Sequence, residues 1–396
     1  MAEDNGVWLG LLKWSLAHTD GTVPSEESLQ PMSEDKRKFL EAVMKDGIID
    51  EGKRMRAILA ELTLTLEPLF SKNNVLDNSE AIAEATKKLN LDEISELMLE
   101  LQDIVEQIDY ARDFTNMGGI PFLLGCANER KLIPSSVRGA SLSILAAMAQ
   151  NNPPVQEKLL VAENGLSILG KLFFEESQTR ELDSDGMLRS RVLRAISCAI
   201  RGHVVGEESF CRNSNLRSIL DLGLGAVAMV PSGSSANVTD EELASRLPPL
   251  ALRKKSLFLL RALMTSDTST RQRVRDFSTS LKKVIENVLS ATKEDSDLIE
   301  VSLATLLSVL RQKKSVNAIL NEKNDLVAKG VSRVAEIRRM SDGDDKEYAK
   351  TESDLWESII VELARCERDE DLDETNDAPV LLANSPANSS HESLPQ

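Results

Sequence analysis

A string of five residues returns along this 396-residue chain. Gly119-Ile120-Pro121-Phe122-Leu123 has a counterpart 46 residues on, in Gly165-Leu166-Ser167-Ile168-Leu169, and a third copy, Asn215-Leu216-Arg217-Ser218-Ile219, lies 50 residues further. Each opens with Gly or Asn, which suit a tight turn, and leads into apolar positions one helical turn apart. A second series follows each turn. Arg138 precedes Leu142, Leu145 and Met148; Arg189 precedes Leu193, Ile196 and Ala199; Arg253 precedes Leu257, Leu260 and Leu263; Leu303, Leu306 and Val309 repeat the pattern more loosely. The anchor leucines 142, 193, 257 and 303 are spaced by 51, 64 and 46 residues, and the longest spacing contains the insertion Pro231-Ser232-Gly233-Ser234-Ser235.

A period of about 45 residues built of two or three helices is the sequence mark of armadillo/HEAT architecture. The expected fold is all-α, a right-handed solenoid of about four repeats. Composition agrees: aromatics are 4% of a chain rich in Leu, Ala, Glu and Lys, which are helix formers rather than strand formers. Hydrophobic residues at 41% suffice for a core, so the chain is not wholly disordered.

Around the repeats the chain divides into segments. Residues 1–33 hold a short amphipathic helix, with Trp8, Leu11, Leu12 and Leu16 on one face and Trp14 nearby, followed by the breakers Gly21, Pro24 and Pro31. That helix is either a cap docked on the body or a mobile interaction segment. Residues 34–78 read as a helical extension, with helices over 35–45 and 51–67 separated by Gly47 and stopped at Pro68. The repeat core spans 79–340 and opens with an N-cap at Ser79. One helix is expected over 92–114, burying Ile94, Leu97, Met98, Leu101, Ile104, Val105 and Ile108. Beyond Ala335 the pattern decays, leaving one C-terminal helix in 341–368 and an acidic, then Ser/Asn/Pro-rich, disordered tail over 369–396.

Little in the chain suggests catalysis. The four cysteines (126, 198, 211 and 366) form no CxxC or Cys/His cluster and read as small buried thiols. The three histidines (18, 203 and 391) give no metal pair and no catalytic triad; His203 is expected at a helix C-terminus. Gly223-Leu224-Gly225-Ala226-Val227-Ala228 copies a dinucleotide fingerprint but follows a helix-forming stretch, not a strand. The reading is a protein that is not an enzyme and has no cofactor and no metal. A net charge of −17 disfavours nucleic acid and anionic membranes as partners. No secretory signal precedes the first apolar run, so the expected location is the cytoplasm, with the nucleus open, and the expected state is a monomer.

One charge pattern runs against helix physics. Arg138, Arg189, Arg191, Arg253, Lys254 and Lys255 fall in the first turns of successive last helices. A cation there opposes the macrodipole by about 0.3–1 kcal/mol. Either these cations form a basic stripe that receives an acidic partner surface, or they pair with acids such as Glu181 and Asp183. The Trp/Asn ladder of import-type armadillo grooves is missing, because the three Trp lie at 8, 14 and 356.

Leu11-Leu12-Lys13-Trp14-Ser15-Leu16-Ala17 resembles the N-terminal motif of the Fes/HspBP nucleotide exchange factors for seventy-kilodalton, DnaK-type heat-shock chaperones. Val105 to Phe114 resembles their approach to the first repeat, and Arg138-Gly139-Ala140-Ser141-Leu142, Ala195-Ile196-Ser197-Cys198 and Lys255 to Leu260 resemble their repeat cores. The resemblance covers roughly residues 8–20 and 95–310. It implies a concave armadillo face that clasps the chaperone's nucleotide-binding domain, opens it, and speeds ADP and client release. It carries Tyr110, Ala111, Arg112 and Lys255 over as chaperone contacts; Arg138, Arg189 and Arg191 join them from the charge pattern. It further implies that Trp8, Leu11, Leu12, Trp14 and Leu16 form a client-release segment competing for the chaperone's substrate cleft, and it places the chain in the cytosolic branch. The alternative is a generic armadillo adaptor with another partner.

Overall fold

The computed structural model describes residues 34, 38, 50–70, 87, 89–178, 187–227, 247–290, 296–312, 317–341 and 343–369. The tryptophan-bearing segment, nearly all of the expected helix 35–45, Ser79, the insertion at 231–235 and the tail past Asp369 lie outside them. Among the described residues every element is helical. The fold is all-α, helices stacked in layers of the armadillo/HEAT kind, in two units, Met1–Ile168 and Leu169–Gln396.

In the first unit, α1 (Glu51–Leu66) begins where Asp50 accepts from the Lys53 N–H at 3.0 Å and ends in a 3₁₀ turn, Glu67–Phe70, around Pro68. It packs on α2 (Leu91–Val105), and the Arg54 Nε and Nη2 each donate to a Glu100 oxygen at 2.5 Å. That bidentate bond holds the Glu100 carboxyl below its usual range.

The single helix expected over 92–114 is two. Gln107 is extended (φ −81, ψ 128), and α3 runs Ile108–Asn116 on a new axis that buries Ala111 and Phe114. Ile108, expected inside, is 50% exposed. Its carbonyl accepts from the Asn152 Nδ2 at 3.1 Å, and Asn152 is 1% exposed. The break is held by a buried amide 44 positions away, which no local periodicity registers.

α4 (Gly119–Asn128) and α5 (Ser135–Ala149) complete this layer, and α5 packs on both α4 and α2. The repeated turns work differently from the expectation. The left-handed residues are Gly118 (φ 87) and Asn164 (φ 49), one place earlier. Gly119 and Gly165 are already helical, and their need is space: a Cβ would sit 2.2 Å from the Phe114 ring at 119 and 2.5 Å from Leu159 at 165. Past α5 come α6 (Pro153–Glu157), a π turn over Lys158–Ala162, and α7 (Gly165–Gln178), which runs on into the second unit.

The second unit continues with α8 (Met187–Ile200), α9 (Val204–Arg212), α10 (Ser214–Leu224) and α11 (Leu250–Thr265). At the third copy of the turn, Asn213 caps α10 by accepting from the Asn215 and Leu216 N–H groups at 3.0 and 3.3 Å. Next are α12 (Arg271–Asp276), α13 (Ser278–Leu289), α14 (Ser296–Arg311), α15 (Asn317–Leu320), α16 (Lys323–Arg339) and α17 (Asp344–Asp369). The last helices α8, α11, α14 and α17 pack in series, and α10, α13 and α16 back α11, α14 and α17. Anchors Leu142, Leu193, Leu257 and Leu303 are all 0% exposed.

The pattern that decays beyond Ala335 in sequence does not end in space. α17 packs on α14 as α14 packs on α11, so it is the last helix of a further layer. Its core residue is Trp356, 1% exposed, which lies so close to α16 that a Cβ on Gly330 would fall 2.7 Å from the indole. Arg333 of α16 and Glu352 of α17 join the two helices by a bidentate pair at 2.9 Å.

A buried polar network ties successive layers of this unit. Glu207 of α9 and Arg273 of α12 have side chains 5% exposed and meet at 3.3 Å. The carboxylate also accepts from the Gly202 N–H at 3.1 Å and from the Ser266 and Thr268 hydroxyls at 2.5 and 2.7 Å. The Arg273 guanidinium donates further to the Leu263 carbonyl at 3.1 Å and to Thr268 at 2.9 Å. The charges are both paired and saturated with hydrogen bonds, the condition under which a buried ion pair is tolerated.

Candidate functional site

Among the described residues no group of His, Cys, Asp or Glu is arranged to hold a metal ion, and no helix is long and apolar enough to cross a membrane. The dinucleotide-like glycines end α10: Gly225 is left-handed (φ 76), its N–H bonds to the Leu222 carbonyl, and the Ala226 N–H bonds to Asp221 at 2.8 Å. This is a glycine helix stop, not a phosphate loop. His203 is not at a helix C-terminus. It caps the N-terminus of α9, its Nδ1 accepting from the Gly206 N–H at 3.1 Å, so that nitrogen carries no proton. Cys126, Cys198 and Cys211 are buried free thiols, and burial pushes Cys126 and Cys211 up to about 11.

The six cations of the sequence pattern separate into two kinds. Arg138 is 5% exposed and its Nε donates to the Ala127 carbonyl at the end of α4, 3.0 Å away. Arg189 is 7% exposed, and the Arg253 Nη2 donates to the Asn287 Oδ1 on α13 at 3.1 Å. All three stand four residues before an anchor leucine, where a last helix turns its side chain inward against a neighbour. They act as internal clamps, and Arg138 and Arg189 are withdrawn as chaperone contacts for that reason. Lys254 pairs with Asp297 on the next last helix at 2.5 Å.

Arg191 and Lys255 stand two residues before their anchors and remain half-exposed. Beside them are Arg194, exposed on α8, and Phe258, 51% exposed on α11. Arg201, from the end of α8, lies with its guanidinium 4.6 Å from the centre of the Phe258 ring. Burial lowers the Lys255 ammonium below its ordinary 10.5, and the nearby charges of Arg194 and then Arg191 lower it further. Among the described residues no carboxylate pairs with Arg191 or Lys255. The result is a cation-rich face with an aromatic centre, the residue types that anchor protein interfaces. Arg194 and Phe258 were missed in the sequence because only the residues before the anchors carried the repeated charge; the spacing i, i+3 from Arg191 and Lys255 was the signal that could have found them.

Of the contacts implied at α3, Ala111 is 1% exposed and packs inward with Phe114, so it is not open to a partner and is withdrawn. Tyr110 is half-buried. Arg112 is exposed, and its Nε donates to the Asn152 Oδ1 at 3.2 Å while its Nη1 reaches Asp109 at 3.4 Å. Trp8, Leu11, Leu12, Trp14 and Leu16 lie outside the described residues.

No family model matches the chain. Curated relatives do. Over 208 residues it is 28% identical to human Hsp70-binding protein 1, covering 51% of each chain, so it spans about half the length of that relative. Over 334 residues it is 23% identical to the Hsp70 nucleotide exchange factor FES1 of Saccharomyces cerevisiae, covering 84% of this chain and 91% of the yeast protein. Among solved structures, a designed armadillo repeat protein in complex with a (KR)4 peptide is 11% identical over 72% of this chain, with a TM-score of 0.44. The likeness to Hsp70-binding protein 1 and FES1 falls on the family that the motifs resemble.

Proposed function

We propose that this protein is a co-chaperone that binds a cytosolic seventy-kilodalton heat-shock chaperone and accelerates nucleotide exchange on it. The observation that carries this reading is the likeness to FES1 along 84% of the chain, together with a cation face in the same stretch. The exposed side of α8 and α11, with Arg191, Arg194, Lys255 and Phe258, is the proposed contact for an acidic surface of the chaperone's nucleotide-binding domain. Tyr110 and Arg112 on α3 offer a second, smaller contact. The N-terminal residues Trp8, Leu11, Leu12, Trp14 and Leu16 keep the proposed client-release role on the strength of the resemblance alone.

The mechanism needs no nucleotide site in this chain. A protein that binds the open, ADP-poor chaperone more tightly than the closed one must weaken ADP affinity by the same factor. A thousandfold effect takes about 4 kcal/mol of differential binding. Measuring release of a fluorescent ADP analogue from purified chaperone tests this directly. Faster release in proportion to added protein is the expected outcome; binding with unchanged release would make the protein an adaptor instead.

A further inference from the structure

We propose that Ser341, in the connection between α16 and α17, is a phosphorylation site for a protein kinase that reads arginines two and three residues before the hydroxyl. Such a kinase offers acidic pockets to the two guanidiniums and takes the substrate chain in extended form. Six hydroxyls in the sequence stand three residues after an arginine: Thr115, Ser141, Ser197, Ser256, Ser278 and Ser341. The fold sorts them. Thr115, Ser141, Ser197 and Ser256 are buried within α3, α5, α8 and α11. Ser278 is half-buried at the start of α13, next to the buried Phe277. Of the six, Ser341 alone is exposed and outside a helix, and it alone has a second arginine, Arg339, two residues before it.

The turn around Ser341 is open to an enzyme. Arg338 and Arg339 are the last residues of α16 and both are exposed, and Met340 after them is already extended (φ −60, ψ 142). A Cβ added at Gly343 would meet nothing within 4 Å. To lie extended across a kinase, the segment gives up the last turn of α16, closed by the Met340 N–H on the Ile337 carbonyl at 3.1 Å, and the exposed Arg338–Glu357 pair at 2.9 Å. Helix ends fray readily and exposed ion pairs hold little. Fraying stops at Ile337, which is buried, and at Arg333, which Glu352 of α17 holds. The transfer consumes ATP. The Ser341 Oγ bonds to the γ-phosphorus, the bond from that phosphorus to the β–γ bridging oxygen breaks, and ADP leaves with that oxygen. The hydroxyl proton passes to a carboxylate of the kinase and on to water. The phosphate adds a charge of about −2 beside Arg338 and Arg339. It therefore competes with Glu357 for Arg338, replacing a surface ion pair between α16 and α17 with a phosphate–guanidinium pair. The assignment rests on this turn alone, independently of the exchange reading.

The test incubates the full folded chain with the catalytic subunit of cyclic-AMP-dependent protein kinase, magnesium and labelled ATP, and locates the phosphate by mass spectrometry of peptides. Incorporation should approach a single phosphate per chain, on Ser341, and Ser341→Ala should remove nearly all of it. Arg338→Gln combined with Arg339→Gln should slow the reaction by about tenfold or more. Asp342→Asn combined with Asp344→Asn should leave the rate nearly unchanged. Circular dichroism of each variant, matched to the unaltered chain, separates lost labelling from lost folding. A synthetic peptide of residues 250–260, in which Ser256 follows Arg253, Lys254 and Lys255, should accept the phosphate that the buried Ser256 of the folded chain refuses. Phosphate carried mainly by another residue of the folded chain, or none at Ser341, overturns the proposal. So does a rate indifferent to both arginines and dependent on Asp342 and Asp344, which would give the hydroxyl to a kinase that reads acids. ADP release from the chaperone is a separate assay, and its failure would count against the exchange reading and leave this assignment standing.

Discussion

Two arginines that look alike in sequence behave as opposites. Arg138 on α5 and Arg191 on α8 both sit in the first turns of a last helix. Arg138 is spent inside its own layer on the Ala127 carbonyl, whereas Arg191 stays half-exposed beside Arg194 and Lys255 with no described carboxylate to meet it. The positions that carry Arg191 and Arg194 on α8, and Lys255 and Phe258 on α11, are occupied on α5 by Ala140 and Ser143. The offset from the anchor leucine sorts the two kinds of cation: four residues before the anchor points inward, two residues before points outward.

The comparison breaks most visibly where an inward cation meets a carboxylate. Arg273→Ala would strand Glu207, 4% exposed, without its counter-ion, and should destabilise the second unit by about 3–5 kcal/mol in urea unfolding. A loss below about 1 kcal/mol would mean that Ser266, Thr268 and the Gly202 N–H hold the carboxylate unaided. Arg138→Ala comes next. It leaves a helix-terminal carbonyl without its donor and should cost about 1.5–3 kcal/mol. Lys255→Gln removes an outward cation, so stability should move by no more than about 0.5 kcal/mol. If the exchange reading holds, the same change weakens chaperone binding by about 1–3 kcal/mol in calorimetric titration. A Lys255→Gln that unfolds the protein and spares binding would erase the distinction between the two kinds of cation.

The sequence reveals the helices and anchors of this fold because those depend on local spacing. Leu142, Leu193, Leu257 and Leu303 announce themselves by period and are all sealed from solvent. What it hides depends on partners far along the chain. The break at Gln107 is held by Asn152, the Glu207 network draws on residues up to 66 positions apart, and the layer ending in α17 replaces the anchor leucine with Trp356 and makes room through Gly330. The candidate site was half legible for the same reason. Arg191 and Lys255 follow from the repeated charge, but Arg138, Arg189 and Ala111 look identical to contacts until burial is known.

The smallest effect is also the most direct reading of the outward face. Burial, then Arg194, then Arg191 lower the Lys255 ammonium. The unfolded chain keeps that proton to higher pH than the folded one. Its contribution to stability is therefore unfavourable while the folded lysine is charged, and is relieved as pH rises from the lowered value toward 10.5. Carbon-13 NMR of the lysine Cε should show Lys255 titrating below its ordinary 10.5. Arg194→Gln should move Lys255 upward, and Arg191→Gln should move it upward by less, following the order of the two charges. Carboxylates brought to the face by a partner favour the charged ammonium and should shift it the same way. A Lys255 resonance that ignores both arginines would mean the three cations do not share one surface, and the contrast with Arg138 would then rest on exposure alone.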